Sequence, residues 1–303
     1  MGRRFYHATP RASSGGDCVP APSCYNRPRF RTPSAMAKPS RSRAPLRNVL
    51  LTGATSGIGE AVAEWMARRG AERIFFCGRD EARLAAVAER LRALGADARP
   101  ARVDVADAVA ARDWIRACDD AAPLDLVYAN AGVSADGRED DEETVRRVFA
   151  VNVGGVLNTV LPALAIYRER PDGRAAKRIA ITSSMTGYHG MPQCPAYSAS
   201  KACVKALGAA LRGRVRREGI AVTTVCPGFV RSRITDRNTC PMPFFLEAPA
   251  AAEIIGRGIL AGKGLVSFPW PMRLATWWIA SLPERLSERL FRLLPEKTGP
   301  RAR

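Results

Sequence analysis

Tyr197-Ser198-Ala199-Ser200-Lys201 is the segment whose residue types and spacing most sharply imply chemistry. Positions four apart on a helix share a face, which brings the phenol and the ammonium together. A phenol with its ordinary pKa of about 10 is a sluggish acid or base at neutral pH, and a neighbouring positive charge lowers that value by favouring the phenolate. The pair suits a group that gives a proton to a developing alkoxide or takes one from an alcohol. Lys201 can also bind a ribose hydroxyl. Upstream, Ser184 follows the apolar run Arg178–Thr182, where its hydroxyl can donate to a substrate oxygen at the same sheet edge. Asn152 is a polar side chain within Phe149-Ala150-Val151-Asn152-Val153-Gly154-Gly155. It is either a satisfied helix asparagine or the anchor of a water that links Lys201 to solvent. Tyr-x-x-x-Lys alone is common on exposed helices, so the surrounding elements carry the decision.

From Leu46 the chain alternates between strand-like and helical patterns. Strands are expected at 48–52, 73–77, 98–103, 124–129, 178–182 and 220–226, and a last one within 264–268. Helices are expected at 60–69, 81–94, 107–118, 142–167 and 196–218; Leu84, Val87, Leu91 and Leu94 show the helical period of the second. This rhythm predicts an α/β fold with a doubly wound, Rossmann-type parallel sheet covered on both faces. Such sheets bind ligands beyond the carboxyl ends of their strands. The first strand runs into Thr52-Gly53-Ala54-Thr55-Ser56-Gly57-Ile58-Gly59 and then a helix. A glycine turn there, with the free amides and positive dipole end of the helix, forms a pyrophosphate cradle from Gly53, Thr55, Ser56, Gly57, Ile58 and Gly59. At the end of the second strand, NAD-preferring sites place an acid for the ribose 2′-hydroxyl. This chain has Arg79, which would pair with a 2′-phosphate, so NADP(H) is expected over NAD(H). Asp80 is read as the cap of the following helix.

Taken together, Thr52-Gly53-x-x-x-Gly57-x-Gly59, Asp104-Val105, Asn130-Ala131-Gly132, Asn152, Ser184, Tyr197-x-x-x-Lys201 and Pro227-Gly228 give the chain its resemblance to the short-chain dehydrogenase/reductase family, of the classical type, across Leu46–Ser232. The resemblance implies Tyr197 as general acid/base, Ser184 as partner of the substrate oxygen, Lys201 as tyrosine tuner and ribose ligand, and Asn152 as the anchor of a water relay. It further implies Asp104 and Val105 near the adenine, Asn130 near the cofactor, and Pro227 and Gly228, with the stretch to Val230, against the nicotinamide. Ala129, where many relatives have a second asparagine, and Ser232, where threonine is more usual, depart from the pattern. The implied activity is hydride transfer between nicotinamide and a carbonyl or secondary alcohol, in a homodimer or homotetramer paired through the helices bearing Asn152 and Tyr197.

Two rivals remain. Ser198-x-x-Lys201 fits a penicillin-recognising acyl-transfer signature, but its companion Ser-Asp-Asn is missing and the βαβ head is left unexplained by it. A non-catalytic NADP-binding scaffold of the same fold is opposed by the filling of all four catalytic positions.

The formal charge of +18 is mostly terminal. Residues 1–47 hold ten Lys and Arg against Asp17 alone, and residues 273–303 hold seven against three acids. The central domain therefore does not read as a nucleic-acid binder. Eight cysteines without short paired spacing, and two histidines, give little material for a metal site, and none is expected. Reduced, buried thiols in a cytoplasmic protein are the reading of those cysteines. No apolar stretch is read as approaching the ~20 residues of a membrane span. Residues 1–45 are expected to be a disordered basic segment, read as an over-extended start with Met36 the true one rather than as an organelle transit peptide or a tail that touches polyanions; 46–272 are expected to form the catalytic domain, including a lid at 229–250, and 273–303 an amphipathic helical extension. The apolar Thr239–Leu246 suggests a hydrophobic substrate, or a loop packed on the core. Trp277, Trp278 and the leucines from Leu286 onward, alternating with Arg285, Arg289 and Arg292, suit peripheral membrane contact through 273–294, or equally a cover for the protein's own core or a subunit partner. Pro283 is expected to break the helix or open a second one.

Overall fold

Apolar, β-branched runs buried on both sides build the centre of a parallel sheet. In the computed structural model, which describes residues 46–135, 141–170, 176–237 and 241–291, these runs are β1 (Asn48–Thr52), β4 (Leu126–Ala129), β5 (Arg178–Thr182) and β6 (Ala221–Pro227). With β2 (Arg73–Gly78), β3 (Asp97–Arg102) and β7 (Leu265–Phe268), the described residues form one seven-stranded sheet in the order β3-β2-β1-β4-β5-β6-β7. Every pairing is parallel. β3 carries Pro100 and alternating polar residues, which an edge strand tolerates because one of its sides needs no ladder. The order reverses between β1 and β4, and Gly53 and Asn130 lie just past those two strands. The expected doubly wound sheet is therefore present.

The helices are α1 (Gly57–Arg68), α2 (Glu81–Ala93), α3 (Ala108–Ala121), α4 (Glu142–Phe149), α5 (Gly155–Glu169), α6 (Pro195–Val215), α7 (Ala248–Leu260), α8 (Trp270–Ala280) and α9 (Glu284–Phe291). Leu51, Val62, Met66, Leu84, Leu91, Ile255 and Ile259 fill the core on one face of the sheet. Leu50, Ile115, Val160, Tyr167, Ile179 and Val204 fill it on the other. Asp80 caps α2 as expected, accepting from the Arg83 amide at 3.1 Å, and Asp107 caps α3.

Three local expectations change. The helix expected over 142–167 is split by a π-helical turn at Ala150–Gly154, centred on Asn152. The same path, Glu142–Glu169, is long and apolar enough by composition to cross a membrane, contrary to the sequence reading. Half of its most apolar window is buried, however, and Val156, Val160, Ala163 and Tyr167 pack into the second core. Of the free thiols, Cys77, Cys118, Cys194 and Cys226 are buried, but Cys203 is exposed on α6. The basic tail, residues 238–240 of the lid, and Arg292, Leu293 and Leu294 lie outside the described residues.

Candidate active site

The turn after β1 brings backbone closer to backbone than any side chain would allow. Gly53 has φ +66°, and a Cβ there would lie 2.6 Å from the Ala131 Cα. At Gly59 it would lie 2.3 Å from the Gly53 carbonyl oxygen. The turn can thus fold under the first amides of α1 and leave them facing outward. Asn130 staples it in place: its Nδ2 donates to Gly53 O at 3.1 Å and its amide donates to the Thr52 hydroxyl at 3.0 Å. Thr182, at the end of β5, donates to Asn130 Oδ1 at 3.0 Å. One chain of hydrogen bonds therefore spans β1, β4 and β5 at the reversal point of the sheet.

A cleft of about 530 Å³ opens above these strand ends. Of the residues singled out from the sequence, Gly53, Thr55, Ser56, Ile58, Arg79, Asp104, Val105, Asn130, Ser184, Tyr197, Lys201, Pro227, Gly228 and Val230 line it. Gly57, Gly59 and Asn152 do not. The two glycines shape the turn from beneath, and Asn152 is fully buried behind the wall. Arg79 reaches Asp104 across the ends of β2 and β3 at 3.7 Å, with both side chains well exposed. The sequence reading missed Arg83, Arg147 and Arg233, which make four lining arginines with Arg79 among the described residues. Position relative to a strand end, the signal that found Arg79, applies to none of the other three.

The residues expected to handle the proton sit at one end. Ser184 follows β5, Tyr197 and Lys201 occupy the first turns of α6, and Lys201 Nζ lies 5.7 Å from the centroid of the Tyr197 ring. Nζ donates to the Thr182 carbonyl at 3.1 Å, which aims the buried ammonium back at the sheet edge. Asn152 spends its whole amide on position: Oδ1 accepts from Val133 N at 2.8 Å, and Nδ2 donates to Val133 O and to the Ser200 hydroxyl, both at 3.0 Å. It ties the loop after β4 to α6. Its Oδ1 and the Lys201 Nζ both lie 3.2 Å from where a Cβ on Gly132 would stand, so a side chain there would crowd both.

The electrostatics correct one expectation. Burial, not the lysine, dominates Tyr197: it pushes the phenol up to about 12, and a hydrogen bond with Ser184 pulls the other way. Lys201 is brought down to about 8, again by burial. The two groups thus move toward their neutral forms. A neutral phenol is a proton donor, and a lysine near 8 changes charge close to physiological pH.

Backbone contacts order the segment after β6, where a lid is expected. Val230 bridges Leu246, and Arg231 N donates to Leu246 O at 2.9 Å. Arg231 forks onto Glu247 at 2.8 and 3.0 Å. Phe244 stays exposed beyond this clasp, whereas Leu246 is partly buried against the core.

The comparisons agree with this geometry. Residues 47–240 match the short chain dehydrogenase family. An uncharacterized oxidoreductase of Myxococcus xanthus is 39% identical over 82% of this chain and 97% of its own length. A short-chain dehydrogenase/reductase from Burkholderia phymatum, solved with NAD, superposes with a TM-score of 0.69 at 26% identity, covering 83% of this chain and 98% of that one. A short-chain dehydrogenase from Sphingobium yanoikuyae, solved with NADPH, gives 0.67 at 25% identity, covering 82% and 97%. This chain belongs to the short-chain dehydrogenase/reductase family and is an oxidoreductase of that family.

Proposed function

We propose that this protein is an NADP(H)-dependent oxidoreductase that moves a hydride between the nicotinamide and a carbonyl or secondary alcohol of a hydrophobic small molecule. The observation that carries the reading is convergence: Ser184, Tyr197 and Lys201 share one cleft with the glycine turn and four arginines. The residues present fit the cofactor. The outward amides at the head of α1 suit a pyrophosphate, and Arg79, exposed at the end of β2, suits a 2′-phosphate. Asp104, Val105, Asn130, Pro227, Gly228 and Val230 would complete the wall.

When bound, the nicotinamide supplies or accepts the hydride. The chain's own residues manage the proton. The neutral Tyr197 hydroxyl donates to the substrate oxygen in reduction, and Ser184 holds the same oxygen by a second hydrogen bond. Lys201 would bind a ribose hydroxyl and, titrating near neutral pH beside the phenol, would return its proton, while Asn152 holds the loop after β4 against α6. A hydrophobic substrate is supported by the exposed Phe244 at the lid and by Met185 and Met272 near Ser184 and Gly228. Four buried free thiols support a cytoplasmic setting. Phe149 and Leu161, exposed on the helices that flank Asn152, support a homo-oligomer, which sedimentation velocity would reveal.

The test of the activity is a steady-state assay with NADPH and a panel of aldehydes and ketones, lipid-like ketones included. Oxidation of NADPH with at least one of them is expected. Tight NADPH binding without turnover on any member would favour the scaffold instead.

A further inference from the structure

Helix α8 presents two opposite faces. Met272, Thr276 and Ile279 form the inner one, at helical spacing and partly buried. Thr276 reaches Met185 at 3.6 Å, and a Cβ on Gly228 would meet Met272 at 2.9 Å, so this face packs against Met185 and Gly228, whose neighbours Ser184 and Pro227 line the cleft. The outer face carries Trp270, Leu274, Trp277 and Trp278, exposed by 74, 56, 59 and 55% respectively. These four positions fall within one 100° stripe, and three of the chain's five tryptophans lie there. Lone apolar side chains on a surface need no explanation, but a contiguous stripe of this size does. Around it the chain is basic: Arg273 on α8 and Arg285 and Arg289 on α9 are exposed, and residues 273–303 carry four more positive than negative charges.

We infer that the outer face of α8 docks on a lipid surface bearing anionic headgroups, with the Trp270, Leu274, Trp277 and Trp278 side chains in the interfacial layer. Indole rings settle at the boundary between headgroups and acyl chains, and flanking arginines are drawn to the negative surface. A second copy of this chain fits this face less well, because it would set the basic rim of Arg273, Arg285 and Arg289 against the same arginines of its partner.

The full chain is to be mixed with vesicles of phosphatidylcholine alone and of phosphatidylcholine with phosphatidylglycerol, then sedimented at low and moderate salt. Binding to the anionic vesicles, weakened by salt, is the expected result. In the same samples, brominated acyl chains should quench the protein's tryptophan fluorescence, a readout that needs no variant. The double variant Trp277→Ser with Trp278→Ser should bind about tenfold or more weakly, because two large apolar groups then stay in water. Its folding is checked by circular dichroism. Failure of the wild type to sediment with either vesicle would overturn the inference. So would anionic binding without quenching, which assigns attraction to the basic segments alone. Loss of a dimer in the double variant, with no vesicle binding by the wild type, assigns the face to a second copy. None of these readouts depends on turnover, so the result stands apart from the oxidoreductase reading.

Discussion

The two ends of the sheet handle buried polar groups in opposite ways. At the amino end, every named group is spent on another part of the chain. Asp125 accepts from the amides of Arg47, Asn48 and Ala176 at 2.8 to 3.0 Å. Tyr167 donates to Arg178 O at 3.1 Å, and Arg178 donates to Ile259 O at 2.8 Å. At the carboxyl end, the supporting groups Asn130, Thr182 and Asn152 are equally committed, but Ser184, Tyr197 and Lys201 face a cleft. The tyrosines make the contrast plain. Both are pushed up by burial, yet Tyr167 is sealed on a carbonyl, whereas Tyr197 keeps access to the cleft. Burial with full pairing stabilises; burial with one direction left open creates a reagent.

This contrast can be broken from either end. Tyr197→Phe should lower turnover by roughly 10²–10⁴-fold, the share of a positioned acid/base, while NADPH binding and thermal stability change little. Stopped-flow turnover with fluorescence titration checks both halves. At the other end, Asp125→Ala should cost about 1–3 kcal/mol of folding stability by urea denaturation, since it leaves three partly buried amides without their acceptor. The surviving folded fraction should keep its specific activity. If activity falls as steeply as stability, the two ends are not separable.

Arg79→Asp sharpens the account of the cleft. NADPH affinity should drop by roughly 10- to 100-fold, the loss of a charge-assisted phosphate contact plus a new repulsion, while NADH affinity holds or rises. Unchanged NADPH affinity would end the 2′-phosphate assignment.

The smallest effect concerns pH. Lys201 has its folded pKa near 8 against an ordinary 10.5, so the unfolded chain holds more protons between those values. Folding stability contributed at this site is reduced below pH 8 and recovers as pH rises toward 10.5. Tyr197 acts with opposite sign above pH 10, where the folded phenol keeps its proton and the unfolded one loses it. Comparing wild type with Lys201→Met by urea denaturation between pH 8 and 10 isolates the lysine. The stability difference should shift toward the wild type as pH rises; a flat difference would contradict the buried ammonium.

Much of the site was legible because its chemistry demands particular residues at particular junctions. The glycine turn, Arg79, Ser184 and the Tyr197–Lys201 pair are each tied to the end of a strand or the start of a helix, and all but Gly57 and Gly59 line one cleft. Boundaries were less sharp: α1 begins at Gly57 rather than Glu60, because the last glycines of the turn already belong to the helix. The direction of the Tyr197 shift was not legible, since spacing reveals a neighbouring charge but not the water excluded around both groups. Nor were Arg83, Arg147 and Arg233, which only tertiary folding brings to the rim. The two faces of α8 were half legible. The tryptophans announce an amphipathic helix, but which side is covered depends on Met185 and Gly228, far away in the chain.

The wide turn at Ala150–Gly154 has a consequence for how this chain could be edited. A π-turn holds about one residue more than an α-helix needs for the same rotation. Removing one residue there should let α4 and α5 join into a regular helix while Val156, Val160 and Tyr167 keep their sides. The amide that clasps Val133 and Ser200 would lose its place. The helix carries this surplus residue against its own regularity, and shortening it should yield a sturdier molecule with an idle cleft.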